Sequence, residues 1–232
     1  KENHFLGRPA EADDRIVNRR IKLIRDFPGF TDKDKTLLDI GCGNGASVFA
    51  LHEEFKSCTG LDVEFKPEDR NNCRFFIADI TQQKPEGEFD RIISFEVVEH
   101  LQTEDLRNFY LSLKPDGLIA ISVPNKWWIF ETHGATIPGL SKIPWNRVPL
   151  FSWLPRPVHE KFANARIYTK RRIRKLLRKF GFNILEMKYV TAPMDVLPEG
   201  KLKNFVIKFI FNTDTTRIPF KATSIIIFAN KK

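Results

Sequence analysis

The residues from Asp39 to Gly45, Asp39-Ile40-Gly41-Cys42-Gly43-Asn44-Gly45, place one acid beside three glycines. Leu37, Leu38 and Ile40 around the acid read as a short buried strand, and Ala46 as the start of a helix. Glycine has no Cβ and tolerates positive φ, so a ligand can come close to such a turn. A strand covered by helices on both faces is normally apolar throughout, so a carboxylate at its last turn points toward a ligand. Gly41, Gly43 and Ala46 also satisfy G-x-G-x-x-G/A, the turn that offers a helix N-terminus to a pyrophosphate. A carboxylate beside that turn repels a pyrophosphate and favours a cation. Histidine is the side chain best suited to proton transfer near neutral pH, and the chain has five. His4 lies near the start and His52 on the helix after the loop, and neither is placed for chemistry. His100 in Glu99-His100-Leu101 reads first as a cap for the next helix and second as a catalytic group. His133 in Glu131-Thr132-His133-Gly134 is the best candidate for a general base, and His159 could pair with it.

The elements that must position these residues alternate in type. Strands are expected at 36–40, 57–62, 74–78, 90–95, 117–123, 183–190 and 222–229, and helices at 11–27, 46–55, 103–113, 170–180 and 200–212. A further helix of one or two turns is expected around Lys66–Arg70. This alternation argues for an α/β fold with a mostly parallel sheet covered on both faces. Residues 125–165 interrupt it after the fifth strand, holding all four tryptophans and five of the fourteen prolines. Connections of that length inside a compact domain are usually binding loops or lids, and ligands of open α/β sheets bind at the carboxyl ends of strands. A structural flap over the core is the plainer alternative.

Later strand ends repeat the acidic signal. Gly60-Leu61-Asp62-Val63-Glu64 closes the second strand, with Asp62 nineteen positions after Gly43, where an acid can accept ribose hydroxyls. Arg74-Phe75-Phe76-Ile77-Ala78-Asp79-Ile80 closes the third, and Phe95-Glu96-Val97-Val98-Glu99-His100-Leu101 follows the fourth. Leu113-Lys114-Pro115-Asp116-Gly117-Leu118 leads into the fifth. In this order the motifs resemble the class I S-adenosylmethionine-dependent methyltransferases, nearest their quinone-biosynthesis and natural-product branch. The resemblance implies a Rossmann-like, seven-stranded, mostly parallel sheet whose last strand is antiparallel and lies beside the sixth. It implies S-adenosyl-L-methionine as cofactor, held by Asp39, Gly41, Cys42, Gly43, Asp62, Val63, Asp79, Ile80, Phe95 and Glu96. It also implies transfer to a small organic acceptor, with oxygen expected, the acceptor being ring-containing, glycosidic or lipid-linked. RNA or protein methylation, and a non-catalytic cofactor-binding module, are the rival readings.

Composition sets the remaining bounds. With 232 residues and 42% hydrophobic content, one domain is expected, comprising a cofactor core at 28–124, a lid at 125–165 and a completing segment at 166–232. Because the sequence opens on Lys1, a few residues are expected before it. Cys42, Cys58 and Cys73 have neither disulfide nor zinc spacing, and no His/Asp/Glu cluster has metal-ligand spacing. A cytoplasmic location follows, with a peripheral membrane contact as an option. The net charge of +9 invites an anionic partner. Much of it sits in residues 170–179, where Ile173, Leu176, Leu177 and Phe180 mark an amphipathic helix with its charge toward solvent, so nucleic acid is not the expected partner.

Overall fold

In a computed structural model the structure describes residues 14–139, 143, 148–198 and 200–231. His4, Trp145 and the first residues of the expected 11–27 helix lie outside them. The elements are α1 (Arg15–Asp26), β1 (Asp32–Ile40), α2 (Ala46–Leu51), β2 (Phe55–Asp62), β3 (Cys73–Ile77), β4 (Phe89–Phe95), α3 (Arg107–Ser112), β5 (Leu113–Pro124), α4 (Arg156–Phe162), α5 (Lys170–Lys179), β6 (Phe182–Thr191), α6 (Lys201–Phe209), β7 (Thr215–Thr216) and β8 (Ala222–Lys231). They build a single sheet in the order β3-β2-β1-β4-β5-β8-β6-β7. The pairs from β3 to β5 are parallel, whereas β8 runs antiparallel to both β5 and β6.

Seven strands were expected; the eighth is the two-residue β7, antiparallel to the end of β6. Thr215 and Thr216 are too short a run to show alternation, which is why the pattern does not reveal them. No helix forms at Lys66–Arg70. Pro67 interrupts the segment, the Asp69 carboxylate accepts the Phe75 N–H at 2.8 Å, and the Arg70 guanidinium lies 3.6 Å from the Phe49 ring centroid. The side chains here bind the β2 to β3 crossover to its neighbours instead of to one another.

Period-two alternation divides the core between the two faces of the sheet. Leu37, Ile93, Ala120, Ile226 and Phe228 pack with Val17, Ile21 and Ile24 of α1 and with Val48 and Leu51 of α2. Leu38, Ile92, Ile119, Ile121, Ile225 and Ile227 pack on the other side with Phe109 of α3 and Ile173 and Leu177 of α5. Helix α5 matches its sequence signature: the Thr169 hydroxyl accepts the Arg172 N–H at 3.2 Å, and Gly181 takes the left-handed conformation just past its end. Two of its cations are drawn inward. Arg172 spans Glu104 and Glu160 at 2.8 and 2.5 Å, and Lys170 donates to the Met187 carbonyl.

The described residues of 125–165 are tied to the core. Buried Asn125 anchors their start, donating to the carbonyls of Pro219 and Ala222. Trp128 packs with Ala192, Met194 and Phe211 in a third apolar cluster, and Ser152 donates to the Trp128 carbonyl at 2.5 Å.

Candidate functional site

Strand order reverses between β1 and β4, so the loops after these two strands diverge and leave a crevice at the carboxyl ends of the sheet. A cleft of about 1370 Å³ opens there, larger than the ~300–1,000 Å³ of a typical single-ligand pocket. All twelve residues singled out from the sequence line it: Asp39, Gly41, Cys42, Gly43, Asp62, Val63, Asp79, Ile80, Phe95, Glu96, His100 and His133.

The loop after β1 is held from below by β2. The Gly41 and Cys42 N–H groups both donate to the Leu61 carbonyl, at 2.7 and 2.9 Å, and the Gly43 N–H donates to Asp62 Oδ2 at 2.9 Å. Gly41 has φ +78°, and a Cβ on it would lie 2.2 Å from Val97 Cγ2. Its missing side chain therefore admits the loop after β4, a packing requirement in addition to any ligand contact. Asp62 Oδ1 accepts the N–H groups of Glu64 and Phe65, and Asp79 Oδ1 accepts the Thr81 N–H and hydroxyl. Both acids are thus oriented before any ligand arrives. Asp39 is different: it is 3% exposed, and burial together with the Asp62 charge pushes its carboxyl up to about 8. A cation beside Asp39 would favour its ionised form. The cationic groups of S-adenosylmethionine would do so, and the oriented Asp62 and Asp79 carboxylates could accept from its ribose and adenine, so the residues present fit that cofactor.

The loop after β4 supplies the other wall. Glu96 holds φ +58°, a conformation uncommon outside glycine. Its Oε1 accepts Arg20 Nη2 at 2.6 Å and the Ser122 hydroxyl at 2.5 Å. Burial favours the protonated form, but Arg20, His133 and Ser122 outweigh it and hold the Glu96 carboxyl below its ordinary value. Glu99 sits at the opposite extreme, 2% exposed with neither carboxylate oxygen hydrogen-bonded among the described residues. Burial and the neighbouring Glu96 charge raise its carboxyl well above the usual range. Its Oε1 lies 3.6 Å from His133 Nε2, and the His133 and His100 rings meet edge to face at 4.8 Å. Burial lowers both imidazoles, His100 to about 4. The His133 Nδ1 is 2.9 Å from the Thr132 hydroxyl. Donor-type atoms of Glu99, His100 and His133 lie within 4.8 Å of one another, a set that could also hold a metal ion. Linear spacing does not show this trio, because the fold closes the distance between residues 100 and 133.

Sequence reasoning missed Arg20, which lies at the site, and its buried neighbour Arg19, which supports the packing around it. Arg20 lines the cleft, and its Nε is buried with no hydrogen-bond partner among the described residues, poised to donate to a ligand carboxylate. Arg19 donates to the carbonyls of Thr191, Ala192 and Phe211, joining α1 to the segments around β6 and α6. A signal was present: positions 17, 20, 21 and 24 form one helical stripe, and Arg20 falls among its apolar members. His159 does not pair with His133. It is fully buried and meets Glu131 Oε2 at 2.6 Å, while Glu131 Oε1 accepts the His133 N–H. Of the described tryptophans only Trp128 reaches the cleft; Trp127 and Trp153 gather around Phe220 on the outside.

Comparison with known proteins agrees with this geometry. A family profile described as a methyltransferase domain matches residues 13–187. The chain is 27% identical over 225 residues to a ubiquinone biosynthesis O-methyltransferase of Pelagibacter ubique, covering 85% of each protein. It is 32% identical over 101 residues to (S)-coclaurine N-methyltransferase of Papaver somniferum, covering 38% of this chain and 29% of that protein. The match therefore spans less than a third of that longer relative. The crystal structure of a coclaurine N-methyltransferase bound to N-methylheliamine and S-adenosylhomocysteine superimposes with a TM-score of 0.56 at 13% identity, covering 98% of this chain and 74% of that one. With the matched profile, the shared fold and the acid-lined glycine loop in place, the chain belongs to the methyltransferase-domain family of S-adenosylmethionine-dependent proteins.

Proposed function

We propose that this protein transfers a methyl group from S-adenosylmethionine to a hydroxyl of a small organic acceptor, with His133 as general base. The observation that carries this reading is the position of the His133 imidazole in the cleft wall, with Nδ1 against the Thr132 hydroxyl and Nε2 toward Glu99. Bound S-adenosylmethionine supplies an activated methyl on a sulfonium. Asp39 would face its cationic groups, Asp62 its ribose hydroxyls, Arg20 Nε its carboxylate, and Asp79 with Ile80 its adenine. Phe130, Trp128 and Met194 wall the remaining space, hold an acceptor ring or chain and exclude water. His133 would take the hydroxyl proton while the acceptor oxygen is held in line with the methyl carbon; as the O–C bond forms the S–C bond would break, leaving S-adenosylhomocysteine as a neutral thioether. Size supports two ligands in the cleft at once.

His133→Ala should lower kcat by roughly a hundredfold while S-adenosylhomocysteine affinity, read by calorimetry, is unchanged. Retention of full kcat would remove His133 as the base. An amine acceptor is the second reading, favoured by the anionic Glu96 and by similarity to an N-methyltransferase. Product analysis with labelled cofactor separates the two, since O-methyl and N-methyl products differ in acid lability and mass fragmentation.

A further inference from the structure

Helix α6 has its apolar stripe facing the wrong way for a core element. Val206 and Ile207 pack on the cluster around Trp128 and Phe211, and Lys203 is buried. Leu202, Phe205 and Phe209, one stripe at i, i+3 and i+7, are 69%, 56% and 61% exposed. The two phenylalanine rings lie against each other at 4.7 Å. Farther along the same segment Ile218 and Phe220 are also about half exposed. Single exposed apolar residues need no explanation, but a grouped set marks an interaction surface.

We propose that this face of α6 docks on an anionic lipid bilayer. Charge selects the occupant. Residues 200–221 carry Lys201, Lys203, Lys208, Arg217 and Lys221 against a single acid, Asp214. Asp214 is taken up by Lys22 at 2.6 Å and by Arg19 at 3.8 Å, and Lys203 by Asp195 at 3.7 Å. The exposed charged side chains of α6 itself are both positive, Lys201 and Lys208, and lie on the same flank of the helix. An aromatic stripe edged by lysines is the surface that lies in a headgroup layer. Pairing α6 with α6 of a second copy would instead bring these lysines together, and like charges across an interface repel.

Placement gives the contact a use. The Asp195–Lys203 pair joins α6 to the cleft, which Met194, Asp195 and Val196 line. Docking through α6 therefore holds the rim of the cleft against the bilayer, where a lipid-dissolved acceptor can enter without crossing water. That consequence rests on the transfer proposed above; the docking itself does not.

Vesicle flotation tests the docking without reference to turnover. The protein should float with phosphatidylcholine–phosphatidylglycerol vesicles and stay behind with phosphatidylcholine alone, and rising salt should release it. Phe205→Ser with Phe209→Ser should weaken partitioning by at least about tenfold, and Lys201→Glu with Lys208→Glu by more than about tenfold. Both pairs are exposed, so melting temperature and S-adenosylhomocysteine affinity should be retained. If the serine variant fails to fold, the charge variant and the salt series decide. Equal partitioning onto neutral vesicles, no partitioning at all, or insensitivity to both variants would overturn the proposal. A wild-type dimer in sedimentation that the serine variant dissolves, with no vesicle binding, would assign the face to a second copy instead.

Discussion

Asp39, next to last in β1, has its carboxyl sealed from bulk water, and this burial, with the charge of Asp62 at the end of the neighbouring strand, keeps its proton on until about pH 8. In the unfolded chain the same carboxyl titrates at about pH 4, so folding raises it. Its contribution to stability is therefore complete below about pH 4 and is lost as pH rises through about 8. The ligand-free protein should lose several degrees of melting temperature between about pH 5 and pH 9, since a tenfold difference in proton affinity between folded and unfolded chains is worth about 1.4 kcal/mol. Asp39→Asn should flatten that slope and abolish cofactor binding. Calorimetry in buffers of different ionisation heat should also detect a proton released as the cationic cofactor binds the wild type. An identical pH slope in the Asn variant would remove Asp39 from this role. The position of Asp39 was legible because an acid in a buried strand is a local anomaly. The buried arginines of α1 were not singled out, because arginine is common on amphipathic helices and only its phase in the stripe separates Arg20 from a surface cation.

Among the elements, the segment 125–165 is the least legible and the most consequential. Its aromatic and proline content set it apart, yet composition cannot say which tryptophan turns inward; that depends on the cluster with Ala192, Met194 and Phe211, far away in sequence. Glu131 and His159 fasten the segment across its own length, and Glu131 also holds the His133 backbone. Removing one member of a buried carboxylate–imidazole pair strands the other, at a cost of about 3–5 kcal/mol. His159→Ala should therefore raise amide exchange across residues 126–164 and reduce kcat through a displaced His133, with cofactor affinity unchanged. Unaltered exchange in that segment would mean the pair does not fasten it. The regular elements were easier to read. The alternation in β1, β4 and β8 and the Thr169 cap of α5 are local patterns, whereas α3 starts only at Arg107, whose N–H bonds Asp105 Oδ1, and no helix forms at Lys66–Arg70, where Asp69 accepts the Phe75 N–H.

At the scale of the molecule the net charge of +9 is spread over two unlike surfaces. On α5 the exposed Arg171, Arg174 and Arg178 have no aromatic residues interleaved for stacking on bases. Reversing all three to glutamate should leave turnover within a fewfold and vesicle partitioning through α6 unaffected. Loss of activity rescued by low salt would indicate an anionic substrate read by α5. The strand order also belongs to this scale. The position of β8 beside β6 was expected from family resemblance, and periodicity alone leaves it undetermined, since an apolar run such as Ile225-Ile226-Ile227-Phe228 suits any interior position.

Because β8 lies between β5 and β6, the two strands it joins share no hydrogen bonds of their own. On a ribosome, the parallel block from β3 to β5 can assemble early, but it then presents β5 as a bare apolar edge until residues 222–231 emerge. The nascent chain thus spends the synthesis of about a hundred residues with an open strand edge of the kind that templates aggregation. The last strand in chain order acts as a keystone, and its arrival dates the birth of the cleft: Thr223 and Ser224 of β8 line that cleft beside Arg20 and Glu96.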